Sequence, residues 1–210
     1  MTACGNNSKG RVELKTQDNK TIIGTYYPSD GKTGLVLLHM LNNNKHSYDK
    51  FASIASKNYK VLSIDFRGHG ESGGDWHSFT DKDFIAMEKD AKAAADYLKS
   101  KGCSKVYVIG ASIGANTAIN LAAHDKDITG AVTLSPSRNY HGIDTEDSIK
   151  GFNKRLFIAT SKEDIQSYED SLYLYDKAAG DKQIEEFAGS LHGTNLLSSK
   201  FTIYILSWIS

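Results

Sequence analysis

Short apolar runs alternate with segments of helical period along most of the chain. Runs 12–15 and 21–27 are rich in β-formers and flank the turn cluster Gln17-Asp18-Asn19-Lys20, which reads as a hairpin. Runs 35–39 (LVLLH) and 61–65 (VLSID) are apolar almost throughout, the pattern of strands buried on both faces. Further strands are predicted at 106–109, 131–134, 156–159 and 184–187, and helices at 46–57, 84–99, 113–123, 167–179 and 195–208. In 84–99 the residues Phe84, Ile85, Met87, Ala91, Ala94, Ala95 and Leu98 recur at helical spacing. This alternation predicts a single α/β domain: a mostly parallel sheet with helices on both faces and an N-terminal antiparallel hairpin. Ligands of such sheets sit beyond the carboxyl ends of the strands. Residues 1–10 (MTACGNNSKG) carry no hydrophobic period and read as a flexible tail, which leaves 11–210 as the domain.

Composition narrows the class. The 210 residues hold 25 Lys+Arg and 25 Asp+Glu, so the net charge is zero and nothing favours a nucleic-acid partner. The two cysteines, Cys4 and Cys103, cannot build a disulfide framework or a four-cysteine zinc site. No histidine cluster has metal-ligand spacing, so no metal or organic cofactor is expected. Apolar runs fall short of the roughly 18–20 residues a membrane span needs, and 201–209 reads as a helix docked on the core.

Chemistry concentrates where predicted strands end. Strand VYVI runs into Gly110-Ala111-Ser112-Ile113-Gly114 and then into a helix. This is G-x-S-x-G in a strand–turn–helix setting, with Ser112 as candidate nucleophile on a sharp turn. A serine hydroxyl needs a base, and His192 lies in the glycine-flanked loop Ala188-Gly189-Ser190-Leu191-His192-Gly193 after the last strand. The orienting carboxylate is expected in Ser161-Lys162-Glu163-Asp164, with Asp164 the choice and Glu163 the alternative. An oxyanion hole needs two donors. The backbone N–H of Ile113 is one, and Leu41, or alternatively Met40, supplies the other from the loop after LVLLH. Short loops containing Trp76 and 135–140, including Tyr140, are expected to rim an open substrate site together with Met40. His69 is expected to shape a loop, and His46, His77, His124 and His141 to lie at the surface.

LLHML, VLSIDFRGHGESGG, VIGASIG, SKED and AGSLHG occur in this order, and together they resemble the α/β-hydrolase family, in particular its small lidless esterases and dienelactone-hydrolase-like proteins. The resemblance spans 21–208. It implies Ser112 as nucleophile, Asp164 as acid, His192 as base and Leu41 with Ile113 as oxyanion donors. Two departures stand out. His39-Met40 replaces the usual His-Gly, and a serine occupies the position where dienelactone hydrolases carry cysteine. The stretch between the strands at 131–134 and 156–159 is too short for a large helical cap.

The expected activity is hydrolysis of small or short-acyl carboxylic esters through an acyl-serine. A thioesterase or amidase/peptidase with the same triad, or an inactive binding module on the same fold, are the alternatives. At the N-terminus Thr2-Ala3-Cys4-Gly5 resembles the end of a bacterial lipoprotein signal, which would place a lipid anchor on Cys4 and the protein outside the cytoplasm; a cytoplasmic protein is the alternative.

Overall fold

The computed structural model describes residues 8–210; Cys4, with the lipid expected on it, lies outside the described residues. The chain opens with the antiparallel hairpin β1 (Gly10–Lys15) and β2 (Thr21–Tyr27). It continues through β3 (Thr33–Leu38), α1 (Asp49–Ala55), β4 (Lys60–Ile64), α2 (Asp81–Ile85), α3 (Met87–Ser100), β5 (Lys105–Ala111), α4 (Ile113–His124) and β6 (Gly130–Leu134). A two-stranded ribbon, β7 (Asn139–Tyr140) and β8 (Ile143–Asp144), and the short α5 (Glu146–Lys150) follow. The chain ends with β9 (Arg155–Ser161), α6 (Ile165–Lys177), β10 (Lys182–Phe187) and α7 (Ser199–Ile209).

Eight strands form one sheet in the order β1-β2-β4-β3-β5-β6-β9-β10, parallel from β4 to β10. Strand periodicity builds two cores. Val36 and Leu38 of β3 face α3 and α4, while Leu35 and Leu37 face α1 and α7. Every second residue points to the opposite side, so a strand buried on both faces reads as a continuous apolar run.

Three helices differ from the sequence expectation for local reasons. The segment expected at 84–99 begins earlier, because Thr80 and Asp83 form a reciprocal capping box, and it breaks at Ala86 into α2 and α3. The 46–57 helix starts as a 3-10 turn, Lys45–Tyr48, capped by Asn44. The last helix starts at Ser199 because the Ser198 hydroxyl caps the Phe201 N–H, and Gly193–Leu196 is a separate 3-10 turn.

A buried ion pair fastens the hairpin to the parallel sheet. The Arg67 guanidinium donates to Asp90 on α3 at 2.6–3.1 Å and to Asp18 in the hairpin turn at 2.7 and 3.1 Å. Asp90 has no exposed surface, and burial pushes its carboxyl up to about 6 against the pull of Arg67. Arg67 itself holds Asp18 well below the ordinary carboxylate range.

Removing one member of such a pair strands a buried charge. Arg67→Met is expected to cost about 3–5 kcal/mol, and adding Asp90→Leu to recover part of it, as read by urea denaturation of both variants.

Candidate active site

Ser112 sits between the last residue of β5 and the first of α4 with φ 52° and ψ −116°. Its N–H donates to Leu134 O on β6 at 2.8 Å, and its carbonyl accepts from Ala115 N and Asn116 N. These bonds hold a non-glycine residue in a left-handed turn that L residues rarely adopt. The flanking glycines are required by contact. A Cβ on Gly110 would lie 1.9 Å from Gly114 O, and one on Gly114 would lie 2.4 Å from Leu38 O and 2.8 Å from His39 O. The first turn of α4 therefore abuts the end of β3. The N–H of Ile113, in that first turn, has no acceptor within the helix.

The loop after β3 is braced from below by two residues. Fully buried His39 donates from Nδ1 to Met40 O at 2.8 Å and accepts the Phe66 N–H on Nε2 at 3.1 Å. That pairing selects the neutral tautomer, since a second ring proton would face the Phe66 N–H. A trans peptide then aims the Leu41 N–H opposite to the held Met40 carbonyl. Buried Lys45 closes the same loop, with Nζ 2.7 Å from Asp65 and 2.6 Å from Glu71 and its own N–H on Asp65. Burial pulls the Lys45 ammonium down, but these two carboxylates outweigh it and keep it charged.

The other strand ends carry the candidate acid and base. His192 Nδ1 lies 2.6 Å from Asp164 Oδ2. Asp164 occupies the N-cap position of α6, yet its side chain makes no cap bond and goes to the imidazole instead. Glu163 is exposed, and its N–H ties the loop to Gly189 O at 3.0 Å. Ser112, Asp164 and His192 thus share the carboxyl edge of the sheet, at the ends of β5, β9 and β10. The one side-chain hydrogen bond of His192 among the described residues is to Asp164, which leaves Nε2 as the free lone pair.

The remaining sequence candidates fall into two groups. Met40 packs against the His192 loop: Thr194 Oγ1 donates to its sulfur at 3.8 Å, and a Cβ on Gly193 would come within 2.8 Å of that sulfur. Leu41 is half-buried against the α3–α4 core. Trp76 and Tyr140 make aromatic contacts with histidines of their own or nearby loops. Trp76 stacks on His69 and His77, and Tyr140 sits edge-on to His141 in the exposed β7–β8 ribbon. His69 shapes its own loop, bonding Arg67 O through Nδ1 at 2.9 Å.

The expected rim 135–140 needs correction. Ser135 and Pro136 are buried at the end of β6, and only 137–140 approach the surface. The ribbon is fastened by Asn116 to Ser137 N and Ile143 O, and by Asp170 to the Arg138 side chain and N–H. Sequence reading also missed the bracing role of His39. Its signal was a lone polar residue closing an all-apolar strand. Among the described residues, no group of three or more His, Cys, Asp or Glu is placed to hold a metal ion, and no helix is long and apolar enough to cross a membrane.

Burial pushes His39 down to about 4, below the ordinary histidine value near 6.5. The unfolded chain therefore binds a proton that the folded chain refuses between those values. Stability should be complete above pH 6.5 and decline as pH falls toward 4. His39→Gln is expected to reduce that slope by close to one proton in urea titrations across this range.

Residues 30–156 match the hydrolase family described as serine aminopeptidase, S33. A thermostable monoacylglycerol lipase of Bacillus sp. (strain H-257) is 29% identical over 111 residues, 52% of this chain and 43% of the lipase, so the matched segment spans less than half of that relative. An esterase of Pyrococcus furiosus superposes with TM-score 0.78 at 19% identity, covering 96% of this chain and 92% of the esterase. An esterase of Exiguobacterium antarcticum superposes at 0.77 and 14% identity, covering 95% and 99%. At such identities these likenesses speak for the fold. Together with the family match over more than half of the sequence, they establish that the chain belongs to the α/β-hydrolases, in the family described as serine aminopeptidase, S33.

Proposed function

We propose that this protein is a serine hydrolase that cleaves carboxylic esters of small or short-acyl substrates through an acyl-enzyme on Ser112. The observation that carries the reading is the 2.6 Å Asp164–His192 pair on the same sheet edge as the left-handed Ser112. His192 Nε2 takes the Ser112 proton as Oγ attacks the ester carbonyl. Asp164 holds the tautomer and stabilises the imidazolium that forms. The N–H groups of Ile113 and Leu41 receive the oxyanion. His192 then protonates the leaving alkoxide, and a water activated by the same nitrogen releases the acid. The cycle consumes one ester and one water and returns the proton to Ser112.

The preference for small acyl groups rests on the short β7–β8–α5 insertion, which leaves no element large enough to enclose a long chain. The similar proteins are named as esterases and a monoacylglycerol lipase and the family as a serine aminopeptidase, so the leaving group is the variable to test.

A fluorophosphonate is expected to add once to the protein and not to Ser112→Ala, as read by intact mass. Turnover of p-nitrophenyl acetate and butyrate should exceed that of octanoate and fall at least about 10³-fold in Ser112→Ala. Asp164→Asn should lose about 10⁴-fold in kcat, since it favours the wrong imidazole tautomer. An adduct that persists in Ser112→Ala would sink the assignment. Faster cleavage of a matched anilide than of the ester would move it to peptidase chemistry.

A further inference from the structure

Two serines close neighbouring strands in the same way. Ala111 of β5 pairs with Leu134 of β6, so the next residues, Ser112 and Ser135, lie side by side. Both are left-handed, with φ 52° and 54°. The nucleophile turn accounts for the first. Nothing in the chemistry above accounts for the second, and such strain persists only where surrounding contacts over-determine it.

Those contacts are specific. The Ser135 N–H donates to Ala159 O of β9 at 2.8 Å. Its Oγ accepts the N–H of Gly193 at 3.0 Å, and the residue is 2% exposed, so water does not compete for that bond. Gly193 directly follows His192. Left-handed glycines at 189 and 193 stand on either side of the histidine. Asp164 holds one atom of the imidazole ring, and the His192 backbone sets where the rest of the ring stands.

We propose that Ser135 is a positioning residue whose hydroxyl oxygen, delivered by its left-handed backbone, pins the peptide after His192 and so fixes the imidazole relative to Ser112. The proposal rests on the serine-hydrolase reading above. It explains the strain: a β-region Ser135 would carry its Cβ in another direction, away from Gly193. It also links base to nucleophile through two adjacent residues, since Leu134 O accepts the Ser112 N–H and Ser135 Oγ accepts the Gly193 N–H.

Two variants separate positioning from stability. Ser135→Gly removes the hydroxyl while accepting positive φ without strain. Ser135→Thr keeps the hydroxyl but puts a β-branched residue where φ is positive, which lowers stability. With p-nitrophenyl butyrate, Ser135→Gly is expected to lose about tenfold in kcat with KM changed less than about twofold. Ser135→Thr is expected to melt lower yet keep kcat near that of the unmodified chain. A purely structural serine would give the reverse order, with activity following melting temperature. Unchanged kcat in Ser135→Gly, with turnover lost in Ser112→Ala, overturns this proposal and leaves the serine reading standing. Turnover that survives Ser112→Ala overturns both.

Discussion

The first turn of α4 lies against the end of β3 so closely that a Cβ on Gly114 would come within 2.4 Å of a main-chain oxygen. Backbone touches backbone there, with no side chain between. That contact brings three things to one place at the sheet edge: the turn at Ser112, the amino end of a helix, and the loop that begins at His39. A helix amino terminus offers unpaired N–H groups and positive partial charge. If the helix stood farther off by the thickness of one methyl group, its N–H groups would be carried away from the β3 loop. The paired glycines are thus a condition of the site's geometry, and the strain at Ser112 follows from the same tight turn.

Around this contact the molecule uses buried polar groups where an ordinary core would use apolar ones. Lys45 with Asp65, Arg67 with Asp90, buried Asp170 with the exposed Arg138, and neutral His39 between Met40 and Phe66 each fasten an irregular segment to regular structure. Loops expose backbone donors and acceptors that must find partners when buried. Apolar packing cannot supply them. A charged or tautomer-locked side chain can, and it also specifies one conformation by direction and distance. These groups add little net stability, because desolvation offsets most of the attraction. Their contribution is to hold the loops at the sheet edge in place while the two apolar cores supply the stabilisation.

Much of this was legible in the chain. Continuous apolar runs such as LVLLH, alternating with helical periods, specify a mostly parallel sheet covered on both faces, because only strands buried on two sides read that way. The pentapeptide around Ser112 announces a tight turn, since glycines at those two spacings are what a backbone-on-backbone approach demands. The order of Ser112, Asp164 and His192, each after a strand, places them on one edge through parallel topology alone. Boundaries were less legible where a cap or a break competes with periodicity, as at Ala86 and Ser199.

What only the tertiary structure decided is which polar residues meet. Glu163 and Asp164 are equivalent by composition and position. Asp164 reaches the imidazole while Lys162 N bonds the end of β10, Glu163 N bonds the loop after it, and the Glu163 side chain faces solvent. Ser135 looked like part of an exposed rim, yet it is buried and bonded to Gly193, 58 residues away in sequence. His39 showed only as an unexpected polar end to a strand, and its two partners come from different segments. The hydrophobic period is a local property and survives in one dimension. A hydrogen bond between distant segments depends on the direction of single atoms, which is set only when the sheet is assembled and its loops are fastened.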